Sequence, residues 1–329
     1  VGLVKLSARV KSITVVGAVL AAMYLAYAWD GQQTIAVLAA SITFATPLVL
    51  AACCGLLGER TGVINIGIEG QLLGGAFVAF VVASATDVFL GTLAGVATGL
   101  VMGLFLAVFA VRWHIDQIIA GTVITILATG LTSFLYKQGH VIKGHMPTIK
   151  IPLLWKIPLL GRILFENQPI RYLAIIVVIV LHVALFRTKW GLRSRAVGEH
   201  PSAADTVGVN VLQKRYVNVT IAGGLAGLGG AFLSLENAGT FERGMSANKG
   251  FLALALMITG RWRPYLAWGA ALMFGLSSGL ANQLQFKKVV DIPPQFINML
   301  PYALTIVVLV IFAGKVRPPA AEGQPYVKE

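Results

Sequence analysis

Charged residues are scarce in this chain. Asp, Glu, Lys and Arg make up 12% of its 329 residues, about half the roughly 25% of an ordinary soluble domain. Too few polar side chains are present to coat a water-soluble body of this size, which excludes a soluble enzyme and a disordered chain. Cysteine is nearly absent as well. Cys53 and Cys54 are adjacent within an apolar run, so they cannot close a useful loop, and a secreted disulfide scaffold is excluded; CxxC metal spacing is also missing. No GxxxxGK[ST] string occurs, so the chain lacks a phosphate-cradling loop of its own. The five His are scattered, and His182, alone in an apolar run, reads as structural. No Ser/His/Asp or paired-carboxylate arrangement stands out. Catalysis and metal binding by this chain are not expected.

What the chain has instead is apolar surface: 57% of residues are hydrophobic and the mean hydropathy is +0.80. That composition fits an all-α polytopic membrane protein, and its length allows about ten spans of ~20 residues with their connections. The net charge of +13 is read as topology-setting and headgroup-contacting Lys and Arg, not as a nucleic-acid surface, because no basic block interleaves with aromatics on a polar segment.

The apolar runs predict spans at Ile13–Trp29, Thr34–Leu57, Val63–Ser84, Val88–Val111, Gln117–Tyr136, Ile170–Phe186, Tyr216–Leu235, Gly250–Gly260, Tyr265–Gln285 and Ile297–Ala313. The first resembles a signal peptide, with Ala26-Tyr27-Ala28 as a cleavage-like triplet, but is read as a retained span. Both termini, 1–12 and 315–329, then lie in the cytoplasm around a transmembrane domain at 13–314. Segment 137–169 is an outer loop and 187–215 a cytoplasmic stretch. On this layout 16 of the 26 Lys and Arg are cytoplasmic, and five of the other ten (Lys137, Lys143, Lys150, Lys156, Arg162) share the long outer loop. Long segments weigh little in the positive-inside rule, so the bias supports the orientation. The eighth span is too short: about eleven residues make ~16 Å of helix against a ~30 Å hydrocarbon core. It reads as a half-helix or one that leans on neighbours, and such spans are where transporters put substrate pathways.

Gly91, Gly95, Gly99 and Gly103 repeat every four residues, and Gly70/Gly74 and Gly223/Gly227 share the spacing. These stripes read as close helix packing with no direct functional role. Two other segments carry polar groups where they are costly. One runs from Gly58 to Gln71 and takes Asn65, Glu69 and Gln71 into an apolar span. Asn65 and Glu69, four apart, are expected on one helix face, with Gln71 pointing elsewhere. A carboxylate inside a span costs about 2.5–3.5 kcal/mol on insertion scales. Glu69 therefore needs an Arg, amide or backbone N–H partner, either as a gate residue or as a tether between helices. Asn282, Gln283 and Phe241 are further candidates to line a polar and aromatic path. The other segment, Glu199 to Gly208, reads as a short helix with Pro201 in its first turn, Ala203 and Ala204 within it and Gly208 after its end. Two turns are not stable alone in water, so this helix must pack on something.

Three ordered strings, GERTGVINIGIEGQLLGG, RAVGEHPSAADTVGVNVLQKRY followed by AGGLAGLGGAFLSL, and GMSANKGFLALALMITGRWRP, resemble the permease subunit of bacterial ABC importers. The family is the one shared by branched-chain amino acid, simple sugar and nucleoside importers, and the likeness covers roughly 34–313. The outer-loop string IPLLWKIPLLGRILFENQP is most similar to the nucleoside-uptake subgroup. The resemblance implies a type II importer-like fold in the bacterial plasma membrane, paired with a second permease or a copy of itself. It implies two cytoplasmic ATPase subunits that bind ATP and Mg and dock on the short helix, through Ala203, Ala204 and Gly208, with Glu199 and Asp205 orienting it. It also implies an extracytoplasmic substrate-binding protein, and no cofactor in this chain. Import of simple sugars or branched-chain amino acids by the same machinery is the nearest alternative. An ion-coupled secondary transporter is an alternative of a different class, and would want several ionisable groups within the membrane. A channel or structural subunit would need no short coupling helix.

Overall fold

The computed structural model describes residues 23–137, 139–287, 293–312 and 317–328. Residues 23–29 are helical, and the rest of the first expected span lies outside the described residues. The long helices are α1 (Gly31–Glu59), α2 (Ile68–Ala85), α3 (Val88–Ala107) and α4 (Gln117–Leu135). After the connection at 136–168, with its short helix α5 (Leu160–Leu164), come α6 (Pro169–Arg187), α7 (Lys189–Glu199), α8 (Pro201–Thr206) and α9 (Val211–Ala231). The chain ends with α10 (Lys249–Thr259), α11 (Pro264–Lys287) and α12 (Pro294–Phe312). Helix α3 continues as a π-helical turn over Val108–Arg112, and α9 as another over Phe232–Ala238. Six of the described helices are long and apolar enough to cross a membrane, so this is a multi-pass membrane protein.

Local chemistry sets the helix starts. Asp30, Asp87 and Asp116 each accept a hydrogen bond from a backbone N–H of the following first turn, and Asn210 does the same for α9. The connection at 136–168 adds a pair of two-residue strands, β1 (Ile149–Lys150) against β2 (Glu166–Asn167), closed by a 2.9 Å Lys150–Glu166 ion pair.

The core lies around the second half of α1, where every residue from 45 to 59 is buried. Leu50 and Pro47 meet Gly229 of α9, Gly55 meets Met257 and Leu254 of α10, and Ser41 and Ala45 meet Gly275 of α11. Helices α4 and α6 stay peripheral and expose Ile119, Ile126, Leu127, Ile176 and Val180 to lipid. Two hydroxyls inside the bundle bond to their own helix: Ser41 and Thr46 donate to the carbonyls of Val37 and Ile42, each at 2.7 Å.

The glycine stripes are packing surfaces. A Cβ on Gly99 would stand 2.2 Å from the Gly223 carbonyl oxygen, and one on Gly103 2.7 Å from that of Val219. Helices α3 and α9 thus touch backbone to backbone. Gly99→Leu is expected to cost at least about 3 kcal/mol, the upper end of overpacking penalties, because backbone atoms cannot step aside. Gly130→Ala, where nothing stands within 4 Å of the added carbon, should be neutral. Thermal unfolding of the purified variants in detergent measures both.

Candidate functional site

The segment from Gly58 to Gln71 does not run as one helix. After α1 ends at Glu59, Gly62 turns the chain at φ +84°, and residues 63–65 continue without helical hydrogen bonding until α2 starts at Ile68. Asn65 therefore precedes the helix that carries Glu69, and the expected shared face does not form. Instead Asn65 Nδ2 donates to Gln71 Oε1 at 3.0 Å and lies 3.3 Å from Cys54 Sγ, while the Cys54 thiol points at Gln71 Oε1 at 3.5 Å. Asn65, Gln71 and Cys54 form one fully buried cluster. Its Asn65 Oδ1 and Gln71 Nε2 have no partner among the described residues. The Gln117 side chain ties this segment to α4 by accepting from the Ile64 N–H at 2.7 Å.

Glu69 faces the other way. Its Oε1 accepts from the Asn248 N–H at 2.8 Å and its Oε2 from the Gly250 N–H at 2.6 Å. Those are orphan donors at the start of α10, the eleven-residue helix over the short eighth span. Glu69 also sits in the first turn of α2, so one carboxylate stands at the positive ends of two helices. A side chain at Gly250 would collide with the Glu69 backbone, its Cβ 2.4 Å from that nitrogen. The chain reaches this point through Ala247 and Asn248, both with positive φ.

The other end of α10 is locked to the same segment. Trp262 Nε1 donates to Glu59 Oε2 at 2.5 Å, and Arg60 donates to the Trp262 carbonyl through Nε at 3.1 Å and Nη2 at 3.0 Å. Burial pulls the Arg60 guanidinium below its usual pKa, with Glu199 the main opposing influence. The first and third strings therefore make one structural unit.

The second string joins it through Arg215, which sequence reading counted only as a topology charge. Arg215 is fully buried. Its Nε donates to the Thr61 carbonyl at 3.1 Å and its Nη1 to the Gln324 carbonyl at 2.8 Å. Both acceptors are backbone carbonyls, so no pairing of side chains in the sequence marks this role. Residues 317–328 lie as a strap across this end. Ala321 N–H donates to the Gly198 carbonyl at 2.9 Å, Gly323 N–H to that of Gly62 at 3.1 Å, and His114 Nε2 lies 3.3 Å from the Tyr326 carbonyl. Burial pushes the Glu322 carboxyl above its ordinary pKa, against the opposing hydrogen bond with Glu59.

Helix α8 forms at the expected place, and Gly208 follows it at φ +82°. Glu199 Oε2 accepts from the Ala320 N–H at 3.3 Å, and Asp205 lies 3.9 Å from Lys328 Nζ. One expectation is corrected here. Ala204 is 3% exposed and packs against Val197, Val211 and Tyr326, because it faces the protein's own α7, α9 and strap. The outward face of α8 consists of Ser202, Ala203 and Thr206, with Val207 beyond it at 78% exposed.

Beyond the far end of α9, Phe241 is 0% exposed and packs within an aromatic cluster with Phe77, Phe80 and Tyr136, at centroid distances of 5.2 to 6.2 Å. It is thus a core residue in this conformation and not an open wall. Asn282 is exposed and Gln283 half-buried near the outer end of α11, level with the start of α1. The structure does not bring them to Asn65, Glu69 or Gln71. Glu236 resembles Glu69 in part: its Oε1 accepts from the Ile170 N–H at the start of α6 at 2.6 Å, but its Oε2 has no hydrogen-bond partner among the described residues.

The family described as the permease component of the branched-chain amino acid transport system matches residues 37–309. This chain belongs to that family. The permease is 37% identical over 306 residues to the nucleoside ABC transporter permease protein NupC of Lactococcus lactis, covering 89% of this chain and 96% of the relative. It is 38% identical over 308 residues to the guanosine ABC transporter permease protein NupQ of Bacillus subtilis, covering 88% and 95%. The putative glucose ABC transporter permease protein TsgC13 of Haloferax volcanii is 36% identical over 294 residues, covering 82% and 89%.

Proposed function

We propose that this permease forms the translocation path of an ATP-driven nucleoside importer. The observation that carries this reading is the 37–38% identity, over nearly the full length of each relative, to permeases named for nucleoside and guanosine transport. Cytoplasmic ATPase subunits dock on the outward face of α8 and bind the ATP and Mg; this chain hydrolyses nothing. A second permease, homologous or identical, completes the path, and an extracytoplasmic binding protein delivers substrate to the outer loop at 137–169.

The hydrogen-bond chain described above supports a coupling route. Movement of α8 reaches the turn at Thr61–Gly62 through the strap and Arg215. From that turn it passes to α10, which is held at one end by Arg60 and Glu59 and at the other by Glu69. Residues on this unit alternate access on the cytoplasmic side. The polar edge of a nucleoside needs a few amides inside an apolar channel. The free amide atoms of Asn65 and Gln71 fit that need when the helices part, whereas the aromatic cluster around Phe241 is closed core here and becomes an apolar wall only if it too opens. The sugar alternative rests on the glucose-named relative. Ion coupling is disfavoured because both oxygens of Glu69 already accept from backbone N–H groups.

The substrate reading is tested by competition. In cells carrying the transporter, uptake of labelled guanosine is expected to fall with excess unlabelled nucleosides and to be unaffected by glucose or leucine; inhibition by glucose alone would move the assignment to sugars.

Orientation is tested separately. Lys143→Cys is expected to react with an impermeant maleimide in sealed cells and Ser202→Cys only after lysis. The background carries Cys53→Ala and Cys54→Ser, both native thiols being buried. Labelling of position 202 in sealed cells would invert the topology.

A further inference from the structure

Two neighbouring cavities lie between α6, α7 and α9. One, of about 280 Å³, is a groove lined by Leu57, Val177, Val180, Leu181, Ile221 and Leu225 among others, with almost no polar surface. The other, of about 310 Å³, is lined by Arg193, Asn210, Gln213, Lys214 and Val217. Trp190 lines both, so its side chain stands where the apolar groove and the polar pocket adjoin. The Lys214 ammonium stands 5.9 Å from the Trp190 ring centre. No acidic residue lines either cavity, and Arg193 and Lys214 put two like charges at one mouth.

The dimensions match one bilayer leaflet. From Ile176, at the deep end of the groove, to Arg187, at the end of α6, is about 16 Å of helix, against the ~15 Å half-thickness of a hydrocarbon core. The walls of the groove include lipid-facing positions: Ile176, Val180 and Ile221 are all exposed. An apolar slot one leaflet deep, ending in paired cations beside a Trp, has the chemistry of a single lipid molecule.

The geometry points to a built-in site for an anionic phospholipid, with an acyl chain in the α6–α9 groove and its phosphate between Arg193 and Lys214. A second permease is the competing occupant; the paired cations with no acidic residue in either lining favour an anionic headgroup over an apolar helix face. The lipid would bridge α7 and α9, close to the helix α8 that follows α7.

The test purifies the intact transporter complex from membranes in mild detergent and measures co-purifying phosphatidylglycerol and phosphatidylcholine, after exchange with vesicles holding equal amounts of both. Wild type is expected to retain phosphatidylglycerol at least fivefold over phosphatidylcholine, with millimolar inorganic phosphate displacing none of it. Arg193→Gln with Lys214→Gln should remove that preference. Val180→Trp, which fills the groove and keeps both charges, should lower retention of phosphatidylglycerol at least threefold. Equal retention of the two lipids by wild type would overturn the site. So would full displacement by phosphate, which would mark a simple anion pocket. Loss of the second permease from the complex in Val180→Trp, with lipid retention unchanged, would assign the groove to a protein interface instead.

Discussion

Glu69→Gln is expected to reduce uptake at least tenfold while leaving the complex assembled. The carboxylate accepts two backbone N–H bonds at the start of α10, from Asn248 and Gly250, at 2.8 and 2.6 Å. An amide keeps the shape but offers one acceptor oxygen; its NH2 faces the other N–H donor to donor. One buried donor is left without a partner, at a cost of about 1–3 kcal/mol, and the charge that faced two helix N-termini is gone. The rest of α10 remains held by Met257 and Leu254 against Gly55 and by Trp262 against Glu59. The expected result is therefore a loosened helix start, not an unfolded protein. Hydrogen exchange at 248–252 should quicken in step with the loss of transport. Full uptake with unchanged protection would remove Glu69 from the transport machinery, whereas failure to assemble would make it a folding tether alone.

The two neighbouring alanines of α8 should respond oppositely to the same enlargement. Ala203 is on the outward face, so Ala203→Trp is expected to leave the permease folded and to separate ATP hydrolysis from uptake, with uptake falling about tenfold or more. Ala204 is enclosed by Val197, Val211 and Tyr326. Ala204→Trp overpacks that contact at a cost of about 1–3 kcal/mol and should lower thermal stability and release the strap. ATPase pull-down, hydrolysis and uptake, measured together with the melting temperature, distinguish the two. Normal uptake in Ala203→Trp with ATPase subunits bound would show that α8 is not the coupling element.

Much of this was legible in the sequence where one physical constraint dominates. Long apolar runs pointed to the six helices that are long enough to cross a membrane among the described residues, out of ten spans expected, because backbone in lipid must satisfy itself within helices. The short run at 250–260 is too short for a full crossing, and α10 has the expected length. The small helix at Pro201 was legible from a Pro in the first turn and a Gly just past its end. Glycine stripes pointed to close packing because lipid offers no hydrophobic drive for helix association.

What failed were inferences that assumed a helix where glycine interrupts it. Asn65 and Glu69 are four apart, but the turn at Gly62 and the non-helical residues after it put Asn65 outside α2, where it meets Gln71 instead. The inward side of α8 was also misjudged, because the burial of Ala204 depends on α9 and on Tyr326, 122 residues further along the chain. The role of the strap and of Arg215 was invisible for the same reason. Their bonds go to backbone carbonyls, which leave no mark in the pattern of side chains.

The central claim is that ATP, acting through α8, drives nucleoside through this permease. It is tested most directly in proteoliposomes holding the permease with its co-purified subunits, with the binding protein and labelled guanosine outside. The account predicts accumulation that requires ATP in the lumen, survives collapse of proton and sodium gradients, and is lost in Ala203→Trp. Accumulation driven by an ion gradient without ATP would contradict it.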